Sequence, residues 1–224
     1  MTKVAILGYG TVGSGVYEVL KKNKEVITGK TGEEITVKYV LDLREFDSDP
    51  VQEVLVHDID TIISDAEVSI VCETMGGERP AYEFTKRALE SGKSVCTSNK
   101  ELVEKHGPEL LQIAKAHACS YLFEASVGGG IPIIRPLRTS LAQEEILSIT
   151  GILNGTTNYI LTKMETEGLA FETVLARAQE KGYAEKNPDA DILGFDACRK
   201  ISILTSLAYG KNVDFADITT EGIT

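Results

Sequence analysis

The stretch "VAILGYGTVGSGVYEVL" (residues 4–20) limits the possible folds more than any other part of the chain. Val4 to Leu7 read as a short apolar strand, and Val12, Val16 and Leu20 recur at helical spacing just beyond it. Between them, Gly8, Gly10 and Gly13 fall in a G-x-G-x-x-G frame. The first glycine makes the tight turn, the second lets the backbone approach a pyrophosphate, and the third lets helix and strand pack closely. The helix N-terminus adds unpaired N–H groups and the positive end of a dipole. Alone, the glycine pattern is weak evidence. Its strand–turn–helix setting is what dinucleotide binding requires.

The following residues repeat the alternation. "ITVKYVLD" is a second β-branched run after the turn-rich "GKTGEE" at 29–34, and "DIDTIISDAE" predicts a short helix. "VSIVCE" reads as a buried parallel strand. Arg79 to Ser91 predicts a helix, with Pro80 in its first turn and Gly92 as its stop. A strand "SVCTS", a helix from about Pro108 to Ala118 and a strand "SYLFEA" complete the series. Such alternation implies an α/β fold, a mostly parallel Rossmann-type sheet covered on both faces. The rhythm changes after about Ala125. "SVGGGIPII" leads into a helix ending near Leu141, "EEILSITGILNG" has the alternation of a longer strand, and helices are expected over 156–167, 171–181 and 191–208. The expected division is a nucleotide-binding domain at 1–130 and a second, α+β substrate and dimerisation domain at 131–224. The latter is expected to be incomplete, since "NVDFADITTEGIT" reads as the beginning of another element.

Composition narrows the partners. Twenty-three basic against 34 acidic residues give a net charge of −11 without a Lys/Arg cluster, which argues against nucleic acid or an anionic membrane as partner. No apolar run approaches the length of a membrane span and the chain opens directly on its first strand, so a soluble cytoplasmic protein is expected. Cys72, Cys96, Cys119 and Cys198 are widely spaced and read as reduced buried thiols. His57, His106 and His117 accompany no nucleophile motif or zinc spacing and read as surface residues.

Three regions carry candidate chemistry. After the second strand, Asp42 could accept the adenosine ribose hydroxyls and Arg44 could accommodate a 2′-phosphate. The preference between NAD and NADP stays open, with Asp42 tilting it slightly toward NAD. "ETMGG" (73–77) and "TSNK" (97–100) follow later strands, where open α/β sheets bind ligands, so Lys100 can meet nicotinamide or substrate. The third is "NPDADILGFDACRK" (187–200). On a helical wheel over 191–208, Arg199, Ser202, Thr205 and Ser206 form a polar face, while Asp196 and Lys200 lie in the apolar arc with Leu193, Ile203, Leu204 and Leu207. Phe195 and Cys198 break the pattern on the polar side. A wet i,i+4 pair contributes only about 0.2–0.5 kcal/mol. On an apolar arc the same pair costs several kcal/mol per ion unless well paired, which favours a site over a surface ion pair. A lysine among carboxylates suits proton transfer in hydride chemistry, and the carboxylates suit an ammonium.

The stretch "ARAQEKGYAEKNPDADILGFDACRK" (176–200), with "GYGTVG", "TSNK", "EASVGGGIPII" and "LNGTTNYIL" in order, closely resembles the homoserine dehydrogenase family. The resemblance runs from Val4 to about Val213. It implies reversible hydride transfer between homoserine and aspartate 4-semialdehyde with NAD or NADP. It further implies Lys200 as general acid/base, assisted by Lys100, with Glu185, Asp191 and Asp196 holding the substrate. For the cofactor it implies Gly8, Gly10, Thr11, Val12, Gly13, Asp42, Arg44, Thr97, Ser98, Lys100 and Gly182. A monovalent cation, usually sodium, would be held at Glu124, Val127, Gly129 and Ile131, mainly by main-chain carbonyls. The family also implies a homodimer through the second domain. Two other readings are another two-domain NAD(P)-dependent oxidoreductase and a catalytically silent dinucleotide-binding module. The long signature argues against the first. A silent module would not need Lys100, Lys200 and three carboxylates.

Overall fold

A computed structural model describes residues Met1–Thr224, which divide into two compact units, Met1–Gly129 and Gly130–Thr224. The first holds a six-stranded, wholly parallel sheet: β1 (Thr2–Leu7), β2 (Ile35–Leu41), β3 (Leu55–Val56), β4 (Val68–Glu73), β5 (Ser94–Thr97) and β6 (Tyr121–Leu122). The spatial order is β3-β2-β1-β4-β5-β6, the doubly wound arrangement whose order reverses between β1 and β4. Parallel strands covered on both faces need continuous apolar sequence. β1 supplies it, with Ala5, Ile6 and Leu7 fully buried.

Helices α1 (Thr11–Lys22), α2 (Lys24–Thr31), α3 (Ile59–Ser64), α4 (Ala81–Glu90) and α5 (Lys100–Ala116) connect the strands. The helical pattern missed α2, which buries none of its residues and so carries no apolar stripe to read. The start of α5 lies eight residues before the expected Pro108. Asn99 caps it by accepting from Leu102 N–H, and Pro108 is tolerated inside while Leu102, Val103 and Leu110 anchor the flanking turns in the core. Of "SYLFEA", only Tyr121 and Leu122 pair with β5. All four cysteines are free thiols, and the Cys72 and Cys96 sulfurs on adjacent strands lie 3.3 Å apart. No helix is long and apolar enough to cross a membrane.

The second unit opens on a short helical segment that ends in a π-helical turn, Pro136–Ser140. It continues with α6 (Gly155–Glu167), α7 (Phe171–Glu180), α8 (Asp189–Ile192) and α9 (Phe195–Tyr209). Ile160, Val174, Ala178, Ala184 and Ile192 form its buried core. The strand expected at 144–155 does not form. A strand requires a ladder partner and this unit supplies none, so Leu147 and Ile152 remain 83% and 75% exposed.

The single helix expected over 191–208 is two helices, broken where Gly194 adopts a left-handed φ of +82°. The polar face expected on it is not wet throughout. Ser202 is buried, its hydroxyl donating to the Val213 carbonyl, and the Ser206 hydroxyl accepts from Val213 N–H. Residues 212–224, expected to start an unfinished element, fold back along α8 and α9 and end on a bond from Ile223 N–H to the Ile192 carbonyl. That return explains the wheel's misfits. Phe195 meets Phe215 edge-on at 6.0 Å, and the Cys198 thiol faces the Phe215 carbonyl.

Candidate active site

In the first unit the glycine turn is built as a cradle. Gly8 takes a φ of +91°, which a glycine adopts without strain. A Cβ on Gly13 would lie 1.9 Å from the Gly8 carbonyl oxygen and 2.8 Å from Thr74 Oγ1, so only glycine lets α1 sit this close to β1. A Cβ on Gly10 would meet nothing within 4 Å. Gly10, Thr11 and Val12 are exposed, and α1 begins without a side-chain cap. Its first amides are therefore available to an anion, and the residues present fit a pyrophosphate. Thr74, which the sequence pattern did not single out, braces the turn with its hydroxyl 2.9 Å from the Leu7 and Gly8 carbonyls.

Beside this turn lies a cleft of about 520 Å³ whose lining includes Gly8, Gly10, Asp42, Arg44, His57 and Met75. Asp42 and Arg44, the two competing specificity residues, are bonded to each other. Asp42 Oδ1 accepts from Arg44 N and Nε, each at 3.0 Å. Asp42 Oδ2 accepts from Tyr9 N at 2.8 Å and from a terminal Arg44 nitrogen at 2.9 Å. The guanidinium holds the Asp42 carboxyl well below the usual carboxylate range. Four donors already surround this carboxylate, whereas the Arg44 side chain is 61% exposed. His57 lies with Nδ1 2.7 Å from the Asp42 carbonyl, and that contact, followed by Glu45, raises its pKa above the ordinary imidazole value.

At the ends of β4 and β5, Thr97 is buried with its hydroxyl turned onto Glu73. Ser98 is half-buried, and Lys100, also half-buried, is the first residue of α5.

The second unit brings Asp191, Asp196 and Lys200 together around a residue the helical wheel could not reveal. Lys200 Nζ lies 2.7 Å from Asp196 Oδ2 and donates to the Leu153 carbonyl at 2.8 Å. Asn154 Nδ2 donates to Asp196 Oδ2 at 2.9 Å and to Asp191 Oδ1 at 2.7 Å. Its Oδ1 caps α6 by accepting from Thr157 N–H at 2.8 Å. One amide thus separates two carboxylates and fixes the start of a helix. The signal was present in "LNGTTNYIL", where Asn154 stands at an N-cap position before a helical run. Thr156 hydroxyl donates to the Tyr183 carbonyl, tying the same loop to the turn carrying Gly182, whose φ is +72°. Glu185, three residues beyond Gly182, is exposed, and its carbonyl accepts from the Gln179 amide. It does not join the Asn154 cluster.

Glu124 opens the 3-10 turn Glu124–Ser126, and Val127 closes it. Gly129 and Ile131 follow in exposed chain, Ile131 being 69% exposed. No three His, Cys, Asp or Glu side chains converge on a metal-sized space.

Comparison with known proteins matches two family models. "Homoserine dehydrogenase, NAD binding domain" spans residues 8–124, and "Homoserine dehydrogenase" spans 132–224. A curated homoserine dehydrogenase of Synechocystis is 43% identical over 99% of this chain and 51% of its own length. A crystal structure of a homoserine dehydrogenase from Thiobacillus denitrificans superposes with a TM-score of 0.92 at 42% identity, over 99% of this chain and 52% of that one. A hyperthermophilic archaeal homoserine dehydrogenase in complex with NADPH superposes with a TM-score of 0.82 at 29% identity, over 94% of this chain and 70% of that one. The chain spans about half the length of the curated relatives it matches.

Proposed function

This chain belongs to the homoserine dehydrogenase family, and from that membership we propose that it catalyses reversible hydride transfer between L-homoserine and L-aspartate 4-semialdehyde. The observation that carries the reading is the cluster of Asp191, Asp196 and Lys200 around Asn154, because an oxidoreductase for an amino-acid side chain needs carboxylates for the ammonium and a proton donor for the oxygen.

In this reading residues 1–130 hold the cofactor and 131–224 the substrate. When bound, the nicotinamide supplies or takes the hydride. Lys200 donates a proton to the carbonyl oxygen during reduction and withdraws it during oxidation. The bond to Leu153 and the contact with Asp196 engage two of its three N–H directions, leaving one for the substrate oxygen. Asp191, Asp196 and the exposed Glu185 bind the ammonium and hydroxyl, and Lys100 assists near the nicotinamide. Gly8, Gly10, Thr11, Val12 and Gly13 cradle the pyrophosphate, with Thr97, Ser98 and Gly182 contributing backbone contacts. Main-chain oxygens at Glu124, Val127, Gly129 and Ile131 bind a sodium ion. The protein works as a cytoplasmic homodimer.

Membership supports NAD(P) as cofactor class. Within that class the Asp42–Arg44 pair supports NADP. The carboxylate can accept ribose hydroxyls only by giving up donors it already has, while the guanidinium, bonded through Nε and one terminal nitrogen to Asp42 and the Tyr9 carbonyl, is exposed enough to offer its other terminal nitrogen to a phosphate. This pairing weighs against the slight tilt toward NAD taken from Asp42 alone.

The test is oxidation of NADPH and NADH by this chain with aspartate 4-semialdehyde, followed by loss of reduced-nicotinamide absorbance. Semialdehyde-dependent oxidation, faster with NADPH, is expected. No oxidation with either cofactor rejects the reading.

A further inference from the structure

A closed ring of hydrogen bonds ties together the ends of β4 and β5. Glu73, the last residue of β4, is completely buried. Its Oε1 accepts from Met75 N–H at 2.8 Å and its Oε2 from the Thr97 hydroxyl at 2.5 Å. The Thr97 oxygen in turn accepts from Asn99 N–H at 2.9 Å. Asn99 closes the ring through Nδ2, which donates to the Gly77 carbonyl at 2.6 Å, and its Oδ1 caps the helix that begins at Lys100.

Burying a carboxylate costs several kcal/mol unless its oxygens are well satisfied, and the rest of β4 is largely apolar. Here the donors are neutral and come from two different loops. A valine or leucine would fill the space at lower cost but would fasten neither loop. The 75–77 loop cannot fasten itself, since Gly76 and Gly77 have no side chains and left-handed φ values of +76° and +68°. The strand order reverses between β1 and β4, so a dinucleotide laid across the strand ends has its adenosine half toward β2 and its nicotinamide half toward β4 and β5. Asp42 and Arg44 stand at the β2 end. The ring lies under the other half.

We propose that Glu73 is a positioning residue for the nicotinamide half of the cofactor, holding residues 75–77 and Thr97–Lys100 at one fixed separation without touching the cofactor itself. The proposal rests on the dinucleotide-binding reading above. Glu73→Gln keeps the size of the side chain and removes one acceptor. Its amide can still accept from Met75 N–H but must donate to Thr97, whose hydroxyl proton then loses its buried acceptor, so the ring is weakened at the link between the two loops.

The experiment is calorimetric titration of the whole chain, wild type and Glu73→Gln, with NADPH and with 2′,5′-ADP, which carries only the adenosine half. In the variant the Kd for NADPH should rise about tenfold, while that for 2′,5′-ADP stays unchanged. A purely structural role moves both ligands together, through loss of folded protein. If the two Kd values rise equally, or the NADPH value does not rise, the proposal falls. Glu73→Asp carries the same test should the glutamine variant not fold, because it keeps the charge but cannot reach both loops. A wild-type chain that binds neither ligand overturns the cofactor reading as well, whereas normal wild-type binding with no split in the variants overturns the role of Glu73 alone.

Discussion

Lys200 and Asp196 stand one helical turn apart on α9 with Nζ and Oδ2 separated by 2.7 Å, and their side chains are only 17% and 4% exposed. An ion pair this dry is not a surface ornament. It is held by Asn154 from the loop before α6 and by the Leu153 carbonyl, so its geometry is set before any substrate arrives.

Replacing Lys200 by alanine should therefore abolish proton transfer while leaving the glycine cradle untouched. Loss of a general acid/base lowers kcat by about 10²–10⁴-fold. Steady-state kinetics beside an NADPH titration checks this. A near-wild-type kcat, or a matching loss of cofactor affinity, contradicts the role given to Lys200.

Asn154→Asp replaces the donor between Asp191 and Asp196 with a third carboxylate. Two acceptors lose their partner, at about 1–3 kcal/mol for each buried group left unsatisfied, and like charges are brought together. The expected outcome is a lower urea midpoint together with a raised homoserine KM. Asn154→Ala should also destabilise, but less, since it introduces no new charge.

Gly13 and Gly10 separate packing from ligand approach. Gly13→Ala drives a methyl into the Gly8 carbonyl, and overpacking of this kind costs about 1–3 kcal/mol or more. Gly10→Ala meets open space, so its thermal midpoint should stay close to wild type. Both should lose NADPH binding. If Gly10→Ala binds normally, the pyrophosphate does not lie over that residue.

Arg44→Ala removes the guanidinium expected to meet the 2′-phosphate and releases Asp42. The ratio of kcat/KM for NADPH over NADH should fall about 10- to 100-fold, the range of one or two charge-assisted hydrogen bonds. A ratio that does not change places the phosphate elsewhere.

His57 gives that preference a pH dependence. Its pKa is raised, first by the Asp42 carbonyl and then by Glu45, so its positive charge is held below the raised value and lost as pH rises through it. Affinity for NADPH, with its extra phosphate, should weaken through that window more than affinity for NADH. Binding measured from pH 6 to 9 checks the sign, and His57→Gln should flatten the difference between the two cofactors.

Sequence alone was enough to read the strand–helix alternation of the first unit, though not α2, the short β3 or the start of α5. A glycine turn, a short apolar strand and an amphipathic helix are local features, and their repetition allows few arrangements other than a parallel sheet. The residue types of the second site were equally legible, since carboxylates and a lysine stand out on an apolar arc. What covers a helix face is a different matter. Periodicity shows which side of α9 is apolar, but not that residues 212–224 return to bury Ser202. Alternation at 144–155 promised a strand, yet pairing depends on a neighbour that local sequence does not specify. Asn154 lies 37 and 42 residues from the carboxylates it joins, and Glu73 lies 24 from Thr97. Hydrogen bonds across such separations form only once strands and helices have packed. The chemistry of the site was therefore present in its residues, while the partners that hold it were decided by the tertiary structure.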